Sequence, residues 1–153
     1  MKKIMFVCHG NICRSTMAEF VMKDLLRKEG LDKHWQVQSS ATSTEEIGND
    51  THPGTRRALH AHGIPFERRH AVQMRKQDYA QFDRWIGMDG RNIQNMLRIL
   101  GGDPDHKVMR LLDLTDHPRD IADPWYTGEF EQTYSDVLEG CEALLAQIRE
   151  GLI

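Results

Sequence analysis

The sequence predicts an α/β fold, in which a single three-layer domain contains a four-stranded parallel sheet with helices on both faces. Two observations support this fold class. Four short apolar segments alternate with stretches whose apolar residues recur at helical spacing, which is typical of parallel sheets with right-handed crossovers. The chain has 153 residues, which suits one domain with one core, and no repeat or linker divides it. We therefore expect one domain over residues 1–153.

The first half of the chain predicts two strands and two helices. Residues 3–8 form a short apolar run typical of a buried strand, and residues 35–40 alternate as a second strand does. Between them, apolar residues at helical spacing predict a helix that ends at Gly30. Its apolar positions are Met17, Ala18, Val21, Met22, Leu25 and Leu26. A second helix is predicted after Thr51, a candidate N-cap, with Pro53 in its first turn.

The second half predicts two further strands and two further helices. Residues 82–89 and 106–113 are the candidate third and fourth strands. The helix between them has an apolar face formed by Ile93, Met96, Leu97 and Leu100. After a loop rich in Asp and Pro, a last helix begins near Glu129. Its apolar positions are Tyr134, Val137, Leu138, Cys141, Leu144, Leu145 and Ile148.

Composition and charge exclude several classes of function. The net charge of −3 provides no basic surface for nucleic acid, so no nucleic-acid partner is expected. No apolar run reaches the roughly 20 residues that a membrane helix needs, so no membrane partner is expected. The chain has three cysteines, an odd number, and its first residues lack the apolar stretch of an export signal. We therefore expect free thiols and a cytoplasmic protein.

The segment "FVCHGNICRS" (residues 6–15) contains a cysteine at the end of the first strand, where parallel sheets form their functional sites. Cys8 allows three interpretations: a nucleophile for phosphate, half of a redox pair with Cys13, or a buried thiol. A thiol with a pKa of about 8.5 becomes a thiolate where it faces a helix N-terminus and backbone N–H groups. The loop can form such an anion-binding cradle, and the guanidinium of Arg14 can grip two phosphate oxygens. The candidate phosphate-binding residues are His9, Gly10, Asn11, Ile12, Cys13 and Arg14.

Ser15 follows the arginine and has two possible roles. Its hydroxyl could hydrogen-bond the sulfur of Cys8 and stabilise the thiolate. Alternatively, it could be the N-cap of the helix that follows. Thr16 with Glu19 fits a capping box at the same place equally well.

A late segment, "IADPWYTGEF" (residues 121–130), offers a proton donor for the cleavage of a phosphate ester. Because tyrosine has a pKa of about 10, phenolate is a poor leaving group, and a carboxylic acid beside the ester oxygen would help it to leave. Asp123 precedes a proline, which favours an extended conformation. Trp125 and Tyr126 could form the walls of a slot for a flat aromatic group. The alternative is an Asp-Pro turn with its aromatic residues in the core.

Together, "VCHGNICRS" and "DPWYTG" resemble the low-molecular-weight protein tyrosine phosphatases, whose pattern is approximately V-C-x-G-N-x-C-R-S-P-x-A-E with a late D-P-[YWF]. The segments "SSAT", "HGI" and "MDGRN" extend the resemblance over almost the whole chain. The resemblance implies hydrolysis of phosphotyrosine through a phosphocysteine, with Cys8 as nucleophile, Arg14 holding the phosphate oxygens and Asp123 as general acid. It implies no metal and no cofactor. The implied partner is a phosphotyrosine-containing protein, and the oligomeric state is left open, with a monomer favoured.

The resemblance also implies supporting roles for other residues. The hydrogen-bond network expected to brace the loop comprises Asn11, Ser15, Ser40 and His62. A disulfide between Cys8 and Cys13 is implied as a reversible protection of the nucleophile against overoxidation. Cys141 lies on the apolar face of the last helix and is predicted to be a core residue.

Three departures from the family pattern stand out. Thr16 occupies a position where relatives usually have proline, which should affect helix capping and not the chemistry. Arg69 and Val72 occupy the usual positions of a histidine and an arginine. Glu45 and Glu46 lie where many relatives have an aromatic wall, so we expect a rim that is less favourable to acidic phosphopeptides. The candidate substrate-slot residues are thus Glu45, Glu46, Trp125 and Tyr126.

Three other functions agree less well with the sequence. A thiol-dependent arsenate reductase shares the fold and the loop, but it needs further cysteines, and residues 70–105 contain none. Phosphoarginine phosphatases of the same family tend to have threonine at the position of Ile12 and phenylalanine at that of Trp125, so this chain favours phosphotyrosine. A non-catalytic phosphate sensor would be expected to lose the nucleophile or the acid, and both Cys8 and Asp123 are present.

Overall fold

The computed structural model describes all 153 residues and confirms the predicted α/β architecture. Its four strands are β1 (Lys2–Cys8), β2 (Trp35–Ala41), β3 (Arg84–Gly87) and β4 (Val108–Arg110). They form one parallel sheet in the order β2-β1-β3-β4. The helices are α1 (Arg14–Lys28), α2 (Pro53–Ala61), α3 (Gly90–Leu100), α4 (Pro124–Thr127) and α5 (Phe130–Arg149).

The central strand β1 contributes to an apolar cluster on each face of the sheet. Because successive strand residues point to opposite faces, Ile4 and Phe6 join a cluster of 24 buried residues that includes the inner faces of α1 and α5. Met5 and Val7 join a smaller cluster of 7 buried residues, which includes Trp85 and the inner face of α3. The helices therefore lie on both sides of the sheet, as the fold class predicts.

Several boundaries differ from the sequence predictions. Helix α2 is capped by His52, whose Nδ1 accepts a hydrogen bond from the Gly54 N–H at 2.9 Å, and not by Thr51, which is buried. Strand β4 ends at Arg110 because the chain enters a 3₁₀-helix over residues 111–114. The short helix α4 was not predicted. None of the five helices has the length and apolar character that a membrane span requires.

The parallel register brings the ends of β1 and β3 to the same edge of the sheet. Val7 pairs with Gly87 in the register of the two strands. The loop of residues 9–13 leaves β1 at this edge, and Asp89 follows β3 at the same edge. Chain segments far apart in sequence therefore meet where parallel sheets form their sites.

Candidate active site

The loop of residues 9–13 connects β1 to α1 and forms the floor of the site. Asn11 adopts a φ of 58°, in the left-handed region that asparagine tolerates better than most residues. The amide groups of residues 9–13 donate no hydrogen bond to a backbone carbonyl. A short run of unpaired N–H groups at the start of a helix is the arrangement that binds anions.

The sulfur of Cys8 lies beneath this loop, in contact with a serine hydroxyl. The distance from Cys8 Sγ to Ser15 Oγ is 3.1 Å, and both residues are buried. The capping alternatives are absent: Cys13, the N-cap of α1, makes no side-chain cap. Thr16 Oγ1 donates back to the carbonyl of Cys13 at 3.0 Å, and Glu19 bonds to other partners. Of the two predicted roles of Ser15, the structure therefore contains the sulfur contact.

Arg14 is the first residue of α1, and only 2% of it is exposed. Its Nη1 donates to Asp89 Oδ2 at 2.7 Å and to the Ile121 carbonyl at 2.8 Å, while Nη2 lies 3.4 Å from Asp123 Oδ2. Its buried Nε has no hydrogen-bond partner in the protein. Burial alone would lower the pKa of Arg14, but the negative charges of Cys8, Asp89 and Asp123 outweigh it, and the pKa is raised.

Asp89 was missed by the sequence analysis. Its Oδ1 accepts the Asn92 N–H at 2.7 Å as the N-cap of α3, while Oδ2 holds Arg14. It belongs to the segment "MDGRN", which was noted only as part of the family resemblance. The missing information was spatial, because 75 positions separate Asp89 from Arg14 in the chain.

Asp123 caps the short helix α4. Its Oδ1 accepts the N–H of Trp125 at 3.1 Å, with Pro124 at the first helical position. Its carboxyl group is thus fixed by its own backbone turn on one side and by Arg14 on the other. The Asp-Pro turn and a place in the site are therefore compatible. The alternative that the aromatic residues belong to the core is wrong, since Trp125 is 55% exposed and Tyr126 is 82% exposed.

One pocket brings most of the predicted site residues together. Its lining consists of Cys8, His9, Gly10, Ile12, Cys13, Glu45, Glu46, Asp123, Trp125 and Tyr126. At its rim, His9 Nε2 lies 3.0 Å from Glu45 Oε2. The ring of Trp125 meets the edge of His52 at a centroid distance of 5.7 Å. All four predicted slot residues thus surround the same opening.

The predicted bracing network is partly correct. Asn11 Nδ2 donates to Ser15 Oγ at 2.8 Å, as expected. Its second acceptor is Ser39 Oγ at 3.0 Å, so the prediction of Ser40 is wrong. Adjacent strand residues point to opposite faces, and the buried hydroxyl of Ser40 makes no hydrogen bond.

The prediction of His62 as a bracing residue is also wrong. His62 caps the C-terminus of α2, where its Nε2 lies 2.7 Å from Glu131 Oε2 and its ring stacks on Tyr134 at 3.8 Å. A side chain that does contact the loop is that of Arg69, which donates two hydrogen bonds to Asn11. The signal for Arg69 was available, because it occupies the usual histidine position of the family pattern.

The other two cysteines differ from Cys8 in their surroundings. Burial, together with the negative charges of Cys8 and Asp123, raises the pKa of Cys13 to about 12. Burial in the core also raises the pKa of Cys141, as expected for a core residue. All three cysteines are free thiols.

Comparison with known proteins yields consistent matches over the full chain. The sequence profile of the family described as low molecular weight phosphotyrosine protein phosphatase matches residues 3–152. The low molecular weight protein-tyrosine-phosphatase YfkJ of Bacillus subtilis is 40% identical over 152 residues, which are 98% of this chain and 97% of the relative. The low molecular weight phosphotyrosine protein phosphatase of Mus musculus is 36% identical over 149 residues, 94% of each chain.

Solved structures show the same similarity. The crystal structure of YfkJ superposes with a TM-score of 0.95 at 39% identity, covering 99% of this chain and 96% of that chain. A structure of the arginine phosphatase YwlE, a mutant with a phosphorylated active-site serine, superposes with a TM-score of 0.85 at 26% identity, covering 97% of this chain and 96% of that chain.

Proposed function

Because this chain belongs to the low molecular weight protein tyrosine phosphatase family and is a cysteine-dependent protein tyrosine phosphatase, we propose that Cys8, Arg14 and Asp123 carry out its chemistry. Cys8 is the nucleophile, Arg14 and the loop amides bind the phosphate oxygens, and Asp123 is the general acid and base. The substrate is a phosphotyrosine side chain of a protein, and its aromatic ring lies between Trp125 and the acidic side of the rim.

In the first step, the thiolate of Cys8 attacks phosphorus and forms an S–P bond. The P–O bond to the tyrosine breaks, and the phenolate oxygen takes the proton from Asp123, so that neutral tyrosine leaves. Arg14 and the loop amides hold the three equatorial oxygens while negative charge spreads over them.

In the second step, water attacks the phosphorus of the phosphocysteine. Asp123, now ionised, accepts a proton from this water, the S–P bond breaks, and the electron pair returns to Cys8 as a thiolate. Inorganic phosphate leaves and the starting protonation state is restored. Ser15, 3.1 Å from the sulfur, stabilises the thiolate both as nucleophile and as leaving group.

One observation carries this proposal: buried hydrogen-bond donors converge beside a cysteine sulfur. The buried Nε of Arg14 has no partner in the protein, and the loop amides find no backbone acceptor. Because buried donors are almost always paired, this set favours an anionic ligand. The position of Asp123 on the wall of the same pocket supports its role as the acid.

The direct test is hydrolysis of a tyrosine-phosphorylated peptide by the wild-type protein and by Cys8→Ser. We expect the serine variant to lose at least about 10³-fold in kcat, since a hydroxyl is far less acidic than a thiol. Equal activities, or an inactive wild-type protein, would contradict the proposal. Asp123→Ala should slow the hydrolysis of tyrosyl phosphate about 10²-fold or more. It should slow the hydrolysis of an aryl phosphate ester with an acidic phenol far less.

A second candidate substrate is phosphoarginine, because the chain also superposes on the arginine phosphatase YwlE. Ile12 lines the pocket at the position where such relatives tend to have threonine, and this favours phosphotyrosine. Comparison of kcat/KM for phosphoarginine and phosphotyrosine tests the choice. A higher value for phosphoarginine would overturn it.

We also propose that the protein acts in the cytoplasm as a monomer and binds phosphotyrosine-containing proteins, but neither nucleic acid nor membranes. Its three free cysteines suit a reducing compartment. Under oxidation, Cys8 and Cys13 are proposed to form a reversible disulfide. Peroxide treatment should abolish activity and dithiothreitol should restore it. A sedimentation experiment tests the monomer.

A further inference from the structure

Arg69 contacts the underside of the phosphate loop, and the assigned chemistry gives it no role. Its Nη1 donates to the Asn11 carbonyl at 3.0 Å, and its Nη2 donates to Asn11 Oδ1 at 2.8 Å. Its side chain is only 14% exposed, with Nε 3.8 Å from Glu19 Oε1. Its own N–H donates to Asp50 Oδ1 at 3.1 Å. Because both its backbone and its guanidinium are fixed by neighbouring groups, Arg69 can fix the position of Asn11.

These contacts determine the orientation of the Asn11 amide. Asn11 Oδ1 accepts from Arg69 and from the Val72 N–H at 3.2 Å. Two donors at one atom leave only the oxygen as a possible assignment, because a flipped amide would turn its NH₂ group toward a guanidinium. The Nδ2 group therefore faces the other way and donates to Ser15 and to Ser39.

The direction of the remaining hydrogen bonds follows from this orientation. Ser39 Oγ accepts a hydrogen bond from Asn11 Nδ2 and donates one to Glu19 Oε1 at 2.5 Å. Ser15 Oγ likewise accepts a hydrogen bond from Asn11 Nδ2 at 2.8 Å, so its own hydroxyl hydrogen is free to point at Cys8 Sγ, 3.1 Å away. A donor to sulfur favours the thiolate over the thiol.

We propose that Arg69 is a positioning residue for the reaction: it orients the Asn11 amide and holds its left-handed backbone, so that Ser15 donates its hydrogen bond to the Cys8 thiolate. It also adds a positive charge behind the loop that does not titrate at neutral pH. The inference rests on the proposed role of Cys8. A histidine, which relatives usually have at this position, would change its charge near neutral pH.

The charges around Cys8 indicate why a second cation is useful. Arg14 is bonded to two carboxylates, Asp89 and Asp123, so much of its charge is compensated before phosphate binds. Glu19 faces Arg69, but it also forms an ion pair with Lys23, whose Nζ lies 2.6 Å from Glu19 Oε2. The charged and titratable groups that act on Cys13 or Arg69 are Cys8, Arg14, Glu19, Glu46, Asp50 and Asp123. Behind them, Asp89 faces Arg14, Lys23 faces Glu19 and Arg68 faces Asp50.

The test compares Arg69→Met with Arg68→Met. Arg68 is the exposed neighbour, and no side-chain hydrogen bond or ion pair of it is present, so its loss removes one charge without touching Asn11. We expect Arg69→Met to move the acidic limb of the kcat/KM profile up by about one pH unit, and so to lower kcat/KM about tenfold at pH values below that limb. Alkylation of Cys8 by iodoacetamide should move to higher pH by the same amount. Arg68→Met should leave both profiles unchanged.

Arg69→Lys separates the effect of the positive charge from that of the Asn11 orientation. It also provides the test if the methionine variant folds poorly. Lysine keeps the charge but presents one nitrogen instead of a two-pronged grip, so we expect about half of the shift in the acidic limb. In a Ser15→Ala background, Arg69→Met should keep only the part of its effect that comes from the lost charge, because the part that comes from the orientation of Asn11 acts through Ser15. The two losses should therefore be less than additive.

The proposal is overturned if wild-type protein is active and Arg69→Met, folded by near-ultraviolet circular dichroism, keeps both profiles within about 0.3 pH unit of wild type. Fully additive losses with Ser15→Ala would overturn it as well. The proposed catalytic role of Cys8 fails differently: Cys8→Ser would then be as active as wild type.

Discussion

The floor and the rim of the pocket are built in opposite ways. The floor, between β1 and α1, is buried, and its polar side chains are tied to one another through Asn11, Ser15 and Arg14. The rim consists of Trp125, Tyr126 and Glu45, which are exposed, and of the half-buried Glu46, and these side chains have few partners. Chemistry on phosphorus needs fixed donors, because a displacement of about 1 Å costs about 10²-fold in rate. Selection among peptide substrates needs only exposed side chains that contact the peptide, and such side chains can be replaced without a loss of fold stability.

The largest effect is expected where the floor meets phosphate. Arg14→Lys should lower kcat/KM for a tyrosine-phosphorylated peptide about 10³-fold, because lysine cannot grip two oxygens and leaves Asp89 without its partner at 2.7 Å. Steady-state kinetics and inhibition by inorganic phosphate measure the loss. The matched control is Arg27→Lys on the exposed face of α1, where the arginine pairs with Asp24. A loss of less than tenfold in Arg14→Lys would show that the guanidinium geometry is not needed.

The two cysteines of the floor should differ in reactivity by about 10²-fold or more at pH 7. Burial raises the pKa of Cys13 to about 12, so this thiol stays protonated until the pH approaches that value, and only the thiolate reacts. Mass spectrometry after iodoacetamide treatment should therefore locate the label on Cys8. Cys141, whose pKa burial also raises, is the internal control. Equal labelling of Cys8 and Cys13 would contradict this contrast.

At the rim, Trp125→Ala should raise KM for a phosphotyrosine peptide about tenfold, since the ring buries aromatic surface of the substrate. The kcat value should change less than about threefold, because Trp125 does not touch the phosphoryl group in the proposed mechanism. Phe66→Ala is the control, an exposed aromatic residue that does not line the pocket. A fall in kcat as large as the rise in KM would show that the rim also affects the chemical step, and would contradict the contrast between floor and rim.

The smallest effect is expected at the acidic side of the rim. Replacing both glutamates, in Glu45→Lys/Glu46→Lys, should raise kcat/KM for acidic phosphopeptides about two- to fivefold at low salt, and added salt should remove the gain. The control is Glu142→Lys on an exposed position of α5. Kinetics with a panel of acidic, neutral and basic peptides measures the change. An equal response to all three peptides would exclude an electrostatic role for these residues.

Local patterns predicted the order of elements because the periods of 2 and 3.6 residues arise within each segment. The nucleophile candidate, the loop and Asp123 were recognisable for a similar reason, since each belongs to a short contiguous motif. The prediction of Ser40 is wrong because one residue along a strand changes the face of the sheet, and the hydroxyl that Asn11 contacts is that of Ser39. The contiguous "HGI" segment predicts a bracing role for His62, but its ring packs on Tyr134 of α5.

The sequence by itself determined the fold class, the loop with Cys8 and Arg14, and the late Asp-Pro segment, because contiguous residues encode turns, caps and periodicity. Only the tertiary structure decided that Asp89 holds Arg14 and that Arg69 orients Asn11, since 75 and 58 positions separate the partners of these contacts. The physical reason is the parallel sheet. Its crossovers bring the ends of distant strands to one edge, and no local pattern records which side chains meet there.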